Sequence, residues 1–522
     1  MTNQIIFNMS IEEIKNLIDS NINVNINNKI DRGEVFTPFF IIKDMLLLLP
    51  KEVWSNPELK WLEPGSGFGA FSIVVFHKLM EGLEKWEPNK TKRKKHILQN
   101  MIYMIEISQI NIDKCKKFLG NNINISKADF LKEENKWIHD FNGVSSFDII
   151  LGNPPFNQGG MRGKGRKDNG LKAIWPDFIK ISLKLLNKNG YLLFFTPNSW
   201  TELKSSVGRQ MIEKQLLYYR NYDVFIAYKI FDKKAGSMPL SYYLIKNTPT
   251  KNNTLIYDKI VDDYISYNVY DYYVIPTMNI ELIKKVLKMT RSLGNLSEYF
   301  YFTPPKVKSD KEIHSDTFSE KYCYPLINYT HKKIYITYSC EKSKFHNGKP
   351  KLIFPNYSMG YPILDKEGIL DVGGRASYVI YFANDDNNNN NIVKLKMLQQ
   401  FLLTELVFAI INSLKTAQKF LSTRTFDILP NVSNLKKQID FLDDNKLYKL
   451  FKLTQKQIEG INFQINKGEG NLTGELKKQI LDFELKDNVN KETYDYIKNN
   501  IKNSKNNNII IKRKGKRNNV NT

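Results

Sequence analysis

The sequence predicts an α/β fold: a doubly wound parallel sheet in the first half, then a second unit of α+β character. Two observations carry this. Between residues 33 and 247, short apolar runs alternate with segments of helical pattern. Beyond residue 250 the chain becomes Tyr-rich and irregular, then helical.

The elements follow in order. Ser10 and Glu13 form a capping box at the head of a short helix over 10–19, and an Asn-rich linker follows. LKWLEP (59–64), NMIYMIEI (100–107), NINIS (122–126), FDIILG (147–152) and GYLLFFTP (190–197) read as strands. AFSIVVFHKLMEGL (70–83), SQINIDKCKKFL (108–119) and LKAIWPDFIKISLKLL (171–186) read as helices. YDYYVIP (270–276) and KKIYITYS (332–339) continue as strand patterns. NDDNNNNN (384–391) reads as a disordered loop, and helical stretches cover 393–421 and 433–486. The chain therefore divides into 1–32, 33–250, 251–486 and a basic, disordered tail at 487–522, with no internal repeat.

Composition limits the partners. The 522 residues carry 77 Lys+Arg against 54 Asp+Glu, a net charge of +23, which favours a polyanion, most simply nucleic acid. An Asn-, Lys- and Ile-rich bias contributes to that surplus. Cys115, Cys323 and Cys340 form no CxxC pair and the six His show no ligand spacing, so neither a disulfide framework nor a metal site is expected. No signal peptide is legible, and DMLLLLP (44–50) is too short to span a bilayer. The expectation is a soluble, reduced, cytoplasmic protein with no membrane partner.

Four motifs fall at successive strand ends. In LEPGSGFGAF (62–71) a strand ends in Glu63, and Gly65 and Gly67 precede a helix, so backbone can approach a ligand closely. The spacing is neither a dinucleotide GxGxxG nor a P-loop. Glu106 ends the next strand, where a carboxylate can accept from both hydroxyls of a ribose. Asp129 and Phe130 end the third, where a carboxylate can accept from an adenine amino group. Asn153-Pro154-Pro155-Phe156 ends the fourth. Prolines cannot continue a strand interior, so an amide and an aromatic are held on a rigid turn. An amide oxygen and a proline carbonyl can together accept both hydrogens of one exocyclic NH2, leaving its lone pair available. Phe156 can stack on the base plane.

GEVFTP (33–38), EPGSGFGAF, EISQINI (106–112), KADF (127–130), NPPF and GYLLFFTPNSW (190–200) occur in an order that resembles the gamma class of type II DNA adenine-N6 methyltransferases. The resemblance implies a Rossmann-like catalytic domain dependent on S-adenosylmethionine, followed by an α+β target-recognition domain. By it, Thr37, Glu63, Gly65 and Gly67 would hold the methionine end of the cofactor, and Glu106 its ribose. Ile107, Asp129, Phe130 and Pro155 would surround its adenine. Asn153 and Pro154 would hold the target amino group, and Phe156 would stack on a flipped adenine, with Val35, Phe231 and Lys234 nearby. The family often has Tyr where Phe156 stands, so stacking is kept and a hydroxyl is given up.

NQGGMRGKGRKDNG (157–170) follows directly, and Arg162, Lys164, Arg166 and Lys167 suit phosphates around an extruded nucleotide. Residues 265–470 are expected to clamp duplex DNA and read base edges. Thirty-two residues before GEVFTP are too few for a nuclease domain, so a cognate restriction endonuclease would be a separate protein. A monomer is expected. Two other readings stand: methylation of another planar amine, in RNA adenine or protein glutamine, and a catalytically inactive DNA-binding module.

Overall fold

The computed structural model describes residues 7, 9–23, 37–157, 172–203, 205–235, 238–272, 274–302, 313–329, 334–354, 362–371, 378–414, 425–436, 441–466 and 474–504. The chain divides into two compact units: Met1–Met278 with Thr416–Gln418, and Asn279–Lys415 with Lys419–Thr522.

The first unit is built on a nine-stranded sheet of order β3-β2-β1-β4-β5-β7-β6-β8-β9. Its strands are β1 Trp61–Pro64, β2 Ile102–Glu106, β3 Asn124–Lys127, β4 Phe147–Gly152, β5 Leu186–Pro197, β6 Gln215–Tyr222, β7 Leu240–Lys246, β8 Thr254–Asp258 and β9 Asp263–Tyr267. The five strands from β3 to β5 run parallel, β7 is antiparallel to both neighbours, and β8 runs parallel to β6. The expected doubly wound parallel sheet is borne out. All of β1 and β2 is buried, as helices on both faces require of a parallel sheet. The sheet continues through β8 and β9, past the boundary expected at residue 250.

Helix α1 spans Ile11–Asn23, and Glu13 closes the capping box by accepting from the Ser10 N–H at 2.7 Å. Then come α2 Phe39–Leu46, α3 Ala70–Gly82, α4 Lys90–His96, α5 Gln109–Leu119, α6 Glu134–Asp140 and α7 Trp175–Leu185. Helix α3 is apolar almost all round, with residues 70–76 all buried, so it packs as a core helix.

The second unit holds two small sheets. One is ordered β10-β16-β14-β15, from Phe300–Phe302, Tyr378–Ile380, Lys351–Phe354 and Ile363–Asp365. The other is β11-β13-β12, from His314–Ser315, Ile334–Ser339 and Tyr324–Tyr329. Lys351 and Asp365 face each other across β14 and β15 as a fully buried ion pair at 2.7 Å.

Three expectations are corrected. YDYYVIP is not a strand: Val269–Tyr272 form a helical turn, and the Tyr270 hydroxyl donates to the Lys214 carbonyl while accepting from the Leu216 N–H. The Asn run is not a loop throughout, because a helix covers Asn388–Leu402. Asn387 caps it by accepting from the Asn390 N–H, and buried Asn391 donates to the Asp385 carbonyl. A helix also occupies Lys491–Ser504 in the expected tail, because Ile497 and Ile501, four residues apart, pack in the core of the second unit. No single helix among the described residues is long and apolar enough to cross a membrane; one pair bent by 67°, Asn388–Leu402 with Glu405–Ser413, meets the length and composition test.

Candidate active site

A cavity of about 820 Å³ opens at the carboxyl ends of β1 to β4. That is the edge where loops leaving parallel strands gather, beside the point where strand order reverses at β1. Four strand ends supply most of its wall.

From β1 come Glu63 and the glycine turn. Glu63 is buried, and its carboxylate accepts from the backbone N–H and the hydroxyl of Ser72 at 2.9 and 2.5 Å. It therefore caps the first turn of α3, where N–H groups lack partners within the helix. Burial pushes its carboxyl up to about 8, against the lowering effect of those hydrogen bonds. Gly65 sits at φ +67, and a Cβ there would lie 3.2 Å from Pro155 Cδ and 3.5 Å from the Phe178 ring. Only glycine lets this turn pass so close to the fourth strand end.

From β2 comes Glu106, also buried. It accepts from the Gly67 N–H at 2.7 Å and from the Ser108 N–H at 2.8 Å. The next residue, Ile107, turns an apolar side chain outward at the cavity lip, 66% exposed. From β3 come Asp129, which accepts from the Leu131 N–H and pairs with Lys132 at 3.2 Å, and buried Phe130. From β4 come Asn153, Pro154, Pro155 and Phe156. Phe156 is buried, and its carbonyl accepts from the Ile174 N–H at 3.0 Å. Thr37 completes the wall: it is buried, and its hydroxyl has no hydrogen-bond partner among the described residues.

Twelve residues singled out from the sequence thus line one cavity: Thr37, Glu63, Gly65, Gly67, Glu106, Ile107, Asp129, Phe130 and the four of NPPF. Phe231 is placed elsewhere. It is buried in the helix Val224–Ala235 with its ring 5.3 Å from that of Phe195, and it does not line the cavity. Val35 and the basic quartet Arg162, Lys164, Arg166 and Lys167 lie outside the described residues, as does the side chain of Lys234. Asn157 and Ala173 pair in an isolated antiparallel bridge.

The sequence predicts the helix α7 but gives its residues no part in the site. Ile174, Asp177, Phe178, Ile181 and Lys184 line the cavity at three- and four-residue spacing, one helical stripe. Phe178 packs on Phe130 with centroids 5.1 Å apart. The helical period is legible in the sequence, but nothing local distinguishes a stripe facing a cavity from one facing a core.

Residues 46–231 match the family described as Eco57I restriction-modification methylase. The match bears out the expected resemblance to adenine-N6 methyltransferases, and every strand-end motif from Glu63 to Phe156 falls within it. An uncharacterized adenine-specific methylase of Mycoplasma pneumoniae is 29% identical over 242 residues, covering 33% of this chain. The alignment takes in 56% of that relative, so the chain spans about half its length. Among solved structures, a modification subunit of a putative type I restriction enzyme from Vibrio vulnificus aligns at 15% identity and TM-score 0.34, over 47% of this chain and 50% of that one. The Type ISP restriction-modification enzyme LlaGI, as a nuclease-deletion mutant bound to a DNA substrate mimic, aligns at 11% and 0.43, over 74% and 45%.

Proposed function

We propose that the protein is a site-specific DNA adenine methyltransferase, moving a methyl group from S-adenosylmethionine to N6 of an adenine flipped out of duplex DNA. It would act as the modification enzyme of a restriction-modification system, partnered by a cognate restriction endonuclease. The observation that carries this reading is the Asn153-Pro154 turn facing the same cavity as the glycine turn of β1 and Glu106.

The residues present fit the cofactor. The Thr37 hydroxyl, unpartnered among the described residues, and the turn around Gly65 and Gly67 suit its methionine end. Glu106, fixed by two backbone N–H groups, sets a carboxylate in the cavity wall of the kind that accepts from ribose hydroxyls. Ile107 and Phe130 offer apolar surface to its adenine. When bound, the cofactor supplies an electrophilic methyl group on a sulfonium. The protein has little proton chemistry to perform. Asn153 Oδ1 and the Pro154 carbonyl accept the two N6 hydrogens, favouring a pyramidal nitrogen, and Phe156 stacks on the base. Placement in line supplies most of the rate.

The test is incubation with radiolabelled S-adenosylmethionine and, separately, duplex DNA, RNA and protein extract, followed by digestion. N6-methyladenine in DNA is expected. Label only in RNA or protein overturns the reading.

A further inference from the structure

The cavity occupies the carboxyl edge of the sheet. The densest run of cations in the described part of the first unit sits on the opposite edge. Helix α4 reads KTKRKKH. It follows α3, whose 13 residues carry the chain about 20 Å back from the glycine turn. It leads through residues 97–101 into the first residue of β2. His96 Nε2 donates to the carbonyl of Pro57, ahead of β1, at 2.9 Å. These connections place α4 at the amino edge, at least the strand length away from the cavity, about 16 Å for the five residues of β2.

Lys90, Lys92 and Lys95 are exposed and form no ion pair among the described residues. Lys94 lies over the Phe7 ring at 2.9 Å. Arg93 is turned inward, 2% exposed, and donates to the Glu87 carbonyl. Trp86, 46% exposed, packs against His96 with centroids 4.5 Å apart. The outward cations of α4 are therefore all lysines, and its one arginine is buried. Protein–protein interfaces favour Arg and deplete Lys. Compact ammonium charges on long stems, read without regard to sequence, suit a phosphate backbone.

We infer that the α4 face is a second duplex-DNA surface, holding the phosphate backbone of a DNA segment other than the one presented to the cavity. A straight duplex lying across the carboxyl edge cannot also reach the amino edge. The protein would then bridge two duplex segments, or keep hold of flanking DNA while the cavity samples sites. That the cavity side also takes DNA rests on the function proposed above; DNA binding at α4 does not.

The test compares the full chain with K90A/K92A/K95A. Binding of a target-free duplex is measured against salt concentration, without cofactor. Each phosphate no longer neutralised should lower the log–log slope by about 0.9, or about 2.7 if all three lysines touch phosphates. A bead-bound duplex is then used to capture a second, labelled duplex through the protein. The wild type should retain the second duplex and the triple variant should release it. Cofactor affinity, measured by calorimetry, should be equal in both and so reports folding. An unchanged salt slope with undiminished capture overturns the inference, as does loss of binding to an acidic polypeptide instead of DNA. Absence of methyl transfer would strike the proposed function and leave this result standing.

Discussion

Glu106 and Gly67 are joined by a 2.7 Å hydrogen bond, the glycine amide donating to the carboxylate. The bond ties the turn after β1 to the end of β2. The other carboxylate oxygen fixes Ser108 in the same way, at 2.8 Å. One buried side chain therefore sets the positions of two loops that wall the cavity. Glutamine at 106 would turn an N–H donor toward one of these amides. Hydrogen bonds to charged groups contribute about 1.5–3 kcal/mol, so Glu106→Gln should weaken S-adenosylmethionine binding about tenfold or more. Titration calorimetry measures this, and an unchanged affinity would remove Glu106 from the cofactor site.

Gly65 is the next point of sensitivity. Its positive φ disfavours any side chain, and a Cβ would press on Pro155 Cδ at 3.2 Å. A left-handed conformation costs a residue with a Cβ about 1–2 kcal/mol. Gly65→Ala should lower the melting temperature by several degrees and displace the NPPF turn, reducing turnover more than stability alone explains. Thermal denaturation and single-turnover methylation, run together, separate the two effects.

Asn153→Ala should abolish methyl transfer while sparing cofactor affinity. Phe156→Leu keeps an apolar group in the buried position but removes the stacking face, so it should reduce kcat/KM for DNA and leave cofactor binding intact. Filter binding of labelled methyl groups in DNA reads both variants. Full activity of Asn153→Ala would refute the role given to that amide.

Glu63 makes stability depend on pH. Its carboxyl is raised to about 8 in the folded chain from an ordinary value of 4.5. The folded state thus holds the proton more tightly than the unfolded state does. This contribution is fully present below about pH 4.5 and is lost as pH rises through about 8, with a total on the order of a few kcal/mol. Urea denaturation across that window should show the decline, and Glu63→Gln should flatten it. A parallel decline in that variant would assign the dependence to other groups.

In the first unit the sequence showed the five parallel strands and the helices α3, α5 and α7, because strand ends carry their chemistry locally, but not the helices α2, α4 and α6 or the strands β6 and β7. Glu63 and Glu106 stand at the ends of their strands and Asp129 and Asn153 within two residues past theirs, so each strand fixes the edge at which its motif falls. Where polar sequence folds through contacts that composition does not mark, that reasoning fails. The Asn-rich head of the Asn388–Leu402 helix orders because Asn391 is buried, and Lys491–Ser504 because Ile497 and Ile501 find a core. The Asn391 contact, to the Asp385 carbonyl, is local but not marked by composition, and core partners of Ile497 and Ile501 such as Ile353 and Val379 lie far away in the sequence.

By itself, then, the sequence determined the order of the motifs along one sheet edge and the chemistry each can offer. Tertiary structure decided which aromatics face the cavity. Phe178 and Phe231 both sit in helices with buried faces; one closes the wall beside Gly65, and the other packs on Phe195. Hydrophobic burial is non-directional, so a helical stripe says that a side chain is covered without saying by what. Only the packed neighbours distinguish a wall of the site from the core behind it.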